Sequence, residues 1–239
     1  MKSESDQTSG FEKESTRFVK AHLGEYPSAP DWVLHSPELR NRPVTSVLDV
    51  GCGPGNHLRS LVDGFDSTRG VGLEPSAEAT TMLRSHYSAD PRLEFITGFA
   101  HKLPFENESF DVVVCWSVLH WVGRNEYLQT LGELIRVTRS HLIVMDYVGS
   151  ENYRVTYGHD DRFFTYKMDF VPAILASGVM KLQVEKRWVT EPDGADRLIG
   201  VGELDPFLKN PLSYHARRGC IFRKDFDVLP VFSSADFGL

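Results

Sequence analysis

Short apolar blocks alternate along the chain with stretches in which apolar side chains recur every third or fourth position, the pattern of buried strands joined by amphipathic helices. From Phe11 to Leu23, the positions Phe11, Phe18, Val19 and Leu23 share one helical face, and Pro27 and Pro30 end that lead-in helix. Residues 1–10 are polar and are expected to fray. The run SVLDV enters a glycine-rich turn at Gly51, and a helix carrying Leu58, Leu61 and Val62 follows it. GVGLE reads as a second strand, Pro75 and Ser76 open a helix with Ala79, Met82 and Leu83 on one face, and LEFITG reads as a third strand. SFDVVVCWS, with Val112, Val113 and Val114 in succession, predicts a strand buried on both faces. A helix from Glu126 to Val137 precedes a fifth strand, HLIVMDYV. The link GFAHKLPFENES is too short and turn-rich for a helix and predicts a loop crossover. Such alternation implies a parallel sheet with helical crossovers.

Beyond Val148 the rhythm changes. Residues 149–167 are polar and aromatic without a clean period, and Asp169 to Val179 reads as a short helix. LQVEKRWVT and SYHARRGCIFRK read as half-exposed strands, joined by a connection too long for a tight hairpin. The adjacent basic pairs Arg217, Arg218 and Arg223, Lys224 are expected to be solvated strand ends.

Composition narrows the class. A chain of 239 residues with 41% hydrophobic and 25% charged positions suits one large domain and excludes collagen, low complexity and wholesale disorder. No apolar run reaches the ~18 residues of a membrane span, and MKSESDQTSGFEKES lacks the apolar core of a secretory signal. A net charge of −7 argues against a nucleic-acid partner. Cys52, Cys115 and Cys220 form neither a metal spacing nor an even framework, so a reducing cytoplasm is expected. No His/Asp/Glu cluster has helix-face spacing, and His159-Asp160-Asp161 is too local to make a metal site.

The chemistry concentrates in VLDVGCGPGN. A strand ends at Val50, and glycines at 51, 53 and 55 let a ligand press against bare backbone. A dinucleotide fold would place a third glycine at Asn56, so an NAD-dependent oxidoreductase is disfavoured. Glu74 ends the next strand, where a carboxylate can accept both ribose hydroxyls, and Asp49 is a second acid suited to a cationic ligand group. Both acids disfavour a 2′-phosphate.

Taken in order from Val47 to Val148, VLDVGCGPGN, VGLEPS, GFAHKLPFENESFDVVVCWSVLHWV and LIVMDYV resemble the class I S-adenosylmethionine-dependent methyltransferases, the small type 11 group above all. The resemblance implies a doubly wound, mostly parallel, Rossmann-like sheet of seven strands, its last strand pair antiparallel, in three α/β/α layers. It implies a single domain: a helical lead-in over 1–44, a cofactor-binding half over 45–148, and substrate-binding insertions over 149–180 and 191–213. S-adenosylmethionine would be the cofactor and S-adenosylhomocysteine its product, with no metal. Gly51, Cys52, Gly53 and Gly55 would approach the methionine portion, with Asp49 helping to bind it. Glu74 would take the ribose, Pro75 would flank the adenine, and Gly98-Phe99-Ala100-His101 would line its other side. The family commonly has an acid where Phe99 stands and a Glu where His101 stands. Phe99 therefore either offers its ring face or turns into the core, and His101 reads as a loop residue. The carbonyl near Trp116 would accept the cofactor ammonium, and Cys115 reads as a small buried hydrophobe.

A hydroxyl acceptor needs a base, whereas an amine or carboxylate needs less help. His120 is the first candidate, with Trp121 packed beside it, and Asp146 and Tyr147 form a second group. His159 is an alternative base. Tyr153, Arg154, Tyr157, Arg162 and Tyr166 are expected to form an acceptor lid in which Arg154 or Arg162 grips an anion. The expected activity is O-methylation of a small molecule such as a sugar, sugar nucleotide or secondary metabolite, by a monomer or homodimer with no nucleic-acid or membrane partner. The alternatives are N-methylation of a small amine, or a non-catalytic module that binds the cofactor.

Overall fold

The computed structural model describes residues 5–149, 152–157, 163–190, 196–199 and 216–225. Helix α1 (Ser5–His22) is followed by two single-turn helices, α2 (Asp31–Leu34) and α3 (Pro37–Arg40). The regular alternation then begins: β1 (Ser46–Val50), α4 (Asn56–Gly64), β2 (Arg69–Glu74), α5 (Ala77–His86), β3 (Leu93–Thr97), β4 (Phe110–Trp116), α6 (Arg124–Val137) and β5 (Thr138–Tyr147). A 3₁₀ turn at Leu119–Trp121 sits between β4 and α6. Next come β6 (Tyr153–Thr156), β7 (Phe164–Lys167), α7 (Phe170–Leu175), β8 (Met180–Thr190), β9 (Asp196–Leu198) and β10 (Ala216–Lys224).

The main sheet has the order β3-β2-β1-β4-β5-β10-β8-β9. Its first five strands pair in parallel, with Val47 beside Gly70 on one side and Val112 on the other. β10 runs antiparallel to both neighbours, placing Cys220 opposite Val144 of β5 and Glu185 of β8. Among the described residues the sheet therefore has eight strands where seven were expected, the addition being the three-residue β9 paired to the end of β8. Reversal at β2 and β4 about β1 makes the C-terminal ends of β1 and β4 a topological switch point, where open α/β sheets bind ligands.

Two apolar layers explain the uninterrupted runs in the central strands. Leu48, Val50, Val113, Cys115, Leu142 and Val144 pack with α6 and α7 on one face. Val47, Val112, Val114 and Ile143 pack with α4 and α5 on the other, where Val19 of α1 is also buried. Cys115 is a core side chain with no exposed surface, as expected.

Three local expectations are corrected. α1 begins at Ser5, well before Phe11, so part of the polar start is helical. The stretch read as aperiodic contains an antiparallel ribbon, β6 with β7, in which Arg154 faces Tyr166. The late basic residues are not simply solvated ends either. Arg218 pairs with Asp169 at 2.8 Å and with Glu185 at 3.0 Å, and Lys224 donates to the carbonyls of Ile135 and Thr138.

Candidate active site

The site is built where β1 stops. Gly51 has φ +73°, a left-handed conformation that favours glycine, and a Cβ there would collide with Val118. The Gly51 and Cys52 amides both donate to the Leu73 carbonyl, at 2.7 and 3.1 Å, stitching the elbow to the end of β2. Gly55, at φ +83°, caps α4 and leaves no room for a Cβ beside Tyr87. The Cys52 thiol is buried next to Gly72, and burial pushes it well above its ordinary range, so it is a packing group and not a nucleophile.

Two acids stand on the neighbouring strand ends. Asp49 is 2% exposed, and its Oδ2 has no hydrogen-bond partner among the described residues. Burial, reinforced by the negative charge of Glu74, pushes the Asp49 carboxyl up to about 7. Glu74 is also raised by burial, an effect opposed by two donors: the Ser15 hydroxyl to Oε1 and the Gly53 amide to Oε2 at 2.9 Å. A buried acid with an unpartnered oxygen beside bare main chain is chemically suited to a cationic group.

A cavity opens above this elbow. Val50 and Gly51 form its floor, Pro75 and the segment 98–101 its sides, and Trp121 and Phe11 its far end. Pro75 and Ala100 thus line one cavity. Phe99 is half-buried, lines the same cavity, and stacks on His101 with centroids 5.7 Å apart, so it does not turn into the core. Trp116 stands outside the lining, between His57 at 5.0 Å and Trp32 at 6.2 Å.

A second cluster lies at the end of β5. His120 Nδ1 is 2.7 Å from Oδ1 of Asp146, and the Oδ2 of Asp146 accepts from the amides of Leu119 (2.6 Å) and His120 (3.3 Å). A carboxylate so placed takes the proton-bearing nitrogen, which leaves Nε2 as the basic lone pair. The His120 ring meets the Tyr147 ring edge-on at 4.9 Å. Lys167 from β7, 1% exposed, places Nζ 4.5 Å from the Tyr147 centroid, and burial holds its ammonium down to about 8. The sequence did not reveal Lys167, because the four residues of β7 are too few to show a period.

The remaining lid candidates separate. Trp121 is gripped edge-on by Phe11 at 5.0 Å and Tyr157 at 4.6 Å. The Tyr157 hydroxyl donates to Glu14 at 3.1 Å, tying the ribbon to α1. Tyr166 is buried and Tyr153 half-buried, whereas Arg154 is exposed, its guanidinium over the Phe164 ring at 4.5 Å and away from the cavity. His159 and Arg162 lie outside the described residues. Ser15 was missed, although its spacing from Phe11 and Phe18 puts it on the inward stripe of α1. Among the described residues no group of His, Cys, Asp and Glu is placed to hold a metal ion, and no helix is long and apolar enough to cross a membrane.

Residues 47–141 match the sequence profile of a family described as methyltransferase domain. The chain is 32% identical over 102 residues to the phthiotriol/phenolphthiotriol dimycocerosates methyltransferase of Mycobacterium leprae (strain TN), covering 42% of this chain and 37% of that protein. It is 34% identical over 100 residues to the trans-aconitate 2-methyltransferase of Azoarcus sp. (strain BH72), covering 40% of this chain and 36% of that protein. Both matches thus span well under two thirds of the relatives' own length. Among solved structures, the fold is similar to 1,6-didemethyltoxoflavin-N1-methyltransferase of Burkholderia thailandensis bound to S-adenosylhomocysteine. The TM-score is 0.57 at 13% identity, with 92% of this chain and 86% of that one covered. The glycine elbow, the paired acids and most of the cavity lining fall inside the matched segment, so residues 47–141 are similar to a methyltransferase domain, and the fold around them is that of S-adenosylmethionine-dependent methyltransferases.

Proposed function

We propose that the protein methylates a hydroxyl group of a small-molecule acceptor, with S-adenosylmethionine as donor and His120 as the base. The observation that carries this reading is the buried hydrogen bond between His120 Nδ1 and Asp146 at 2.7 Å, which leaves Nε2 as a proton acceptor on the turn that also carries Trp121 of the cavity lining. An acceptor that is already nucleophilic would have little use for such a pair.

The residues present fit the cofactor. Asp49, with its unpartnered oxygen, would hold the methionine ammonium, Glu74 the ribose hydroxyls, and Gly51 and Gly53 the backbone-contacted side of the methionine chain. Pro75 and the Phe99–Ala100 segment would enclose the adenine, with the Phe99 ring face replacing the carboxylate common there. Bound there, the cofactor supplies a methyl group already activated by its sulfonium. The protein's own work is to hold the acceptor oxygen in line at about 3–3.5 Å, to take its proton at Nε2 of His120, and to exclude water. Trp121, with Phe11 and Tyr157 against it, closes the far end of the cavity. Tyr147, beside both His120 and Lys167, borders the acceptor's position. The relative named for trans-aconitate supports a small-molecule acceptor.

Calorimetry tests the reading in its first step: S-adenosylhomocysteine should bind with micromolar affinity, and Asp49→Ala or Glu74→Ala should weaken it about tenfold. Transfer of radiolabelled methyl into a pool of small hydroxyl compounds tests the second. Absence of binding by the unmutated protein would overturn the proposal, and binding without transfer to any hydroxyl would overturn its catalytic half.

A further inference from the structure

Helix α1 is fastened along the cofactor cradle at successive points. Phe11 reaches Trp121 at the cavity's far end, and Ser15 donates to Oε1 of Glu74. The Thr16 hydroxyl meets Ser76, the residue that caps α5, at 2.6 Å, and the Phe18 ring lies over Gly53. A helix that only covered apolar core would not place a hydroxyl on a buried carboxylate more than fifty residues away in sequence.

Resting on the cofactor assignment above, we propose that Ser15 is a positioning residue for the ribose site and that α1 forms one wall of the cofactor pocket. Each carboxylate oxygen of Glu74 has two lone pairs. Ser15 takes one on Oε1 and the Gly53 amide takes one on Oε2, so one remains on each oxygen for the two ribose hydroxyls. The two donors fix the plane of the carboxylate and favour its ionised form against the desolvation that opposes it. Ser15 therefore acts through Glu74. Tyr157 holds α1 from its other side through Glu14.

A double-mutant cycle on the full chain tests this, with S-adenosylhomocysteine as the probe and calorimetric affinity as the readout. Ser15 is a half-exposed helical position and alanine is the better helix former, so Ser15→Ala should keep α1 helical, which circular dichroism checks before binding is read. Ser15→Ala should weaken binding about tenfold in the parent and by less than twofold in a Glu74→Gln background, since the hydroxyl then has no carboxylate to hold. Equal losses in both backgrounds would show that Ser15 only packs the helix, and no loss in either would show that it is idle. Either result overturns the inference while leaving the cofactor assignment intact. Failure of the parent to bind the probe would instead overturn the assignment itself.

Discussion

Asp146 holds His120 from the neighbouring strand end, its Oδ1 on the ring Nδ1 at 2.7 Å and its Oδ2 on the His120 and Leu119 amides. The same carboxylate therefore fixes both the ring and the 3₁₀ turn that carries it. Because the contact is buried, rotating the imidazole away would cost it the Asp146 hydrogen bond without a solvent replacement. His120→Ala should lower the methyl-transfer rate toward a hydroxyl acceptor by about 10²–10⁴-fold. Affinity for S-adenosylhomocysteine should stay within about twofold, because His120 lies off the cofactor cavity. Single-turnover kinetics beside calorimetry separate the two effects.

Asp49 makes the empty protein sensitive to pH. Its folded-state pKa, about 7, lies above the unfolded value, so between the two the folded protein holds a proton that the unfolded chain has released. The contribution to stability is full below about pH 4 and is lost as pH rises through about 7. Urea unfolding at pH 5 and pH 8 should show the decline, and Asp49→Asn should flatten it. Binding of S-adenosylmethionine should run the other way, tightening as pH rises through 7 and releasing a proton that calorimetry in buffers of different ionisation enthalpy can count.

Gly51→Ala tests the elbow. The new methyl meets Val118 while the backbone keeps φ +73°, so the substitution should cost about 2 kcal/mol or more. A drop of about 4–8 °C in unfolding temperature follows for a chain of this size. Adding Val118→Ala should recover the collision and leave the backbone strain, restoring part of the loss.

Trp121 joins α1 to the ribbon through Phe11 and Tyr157. Trp121→Ala removes two edge-on aromatic pairs worth about 0.5–1.5 kcal/mol each. It should loosen α1, seen as faster limited proteolysis between α1 and β1, and raise the acceptor KM more than it lowers kcat.

The strands and helices of the cofactor half were legible because each carries one period over its whole length. β4 shows three valines in succession, and α6 repeats Tyr127, Leu131, Leu134 and Val137 inward. The elbow was legible for a different reason: left-handed backbone at 51, 53 and 55 favours glycine. What could not be read were relations set by register and packing. His120 and Asp146 were both candidates, but their pairing depends on β4 lying beside β5, with Trp116 opposite Met145. Ser15 and Lys167 act across elements distant in sequence, and a single polar residue on a short or amphipathic element carries no periodic signal. The ninth strand escaped for the same reason, at three residues.

β10 lies inside the sheet although every other strand precedes it in the chain. Until residues 216–224 arrive, β5 has an open edge carrying Leu142, Ile143 and Val144, and β8 has no route onto the sheet. The growing polypeptide therefore exposes a sticky, unpaired border late in synthesis. Closure depends on a contact between distant parts of the chain, which slows the final step. A variant that weakens β10, such as Gly219→Val pressed against Trp32 and Trp188, should aggregate during expression before it loses anything at the elbow.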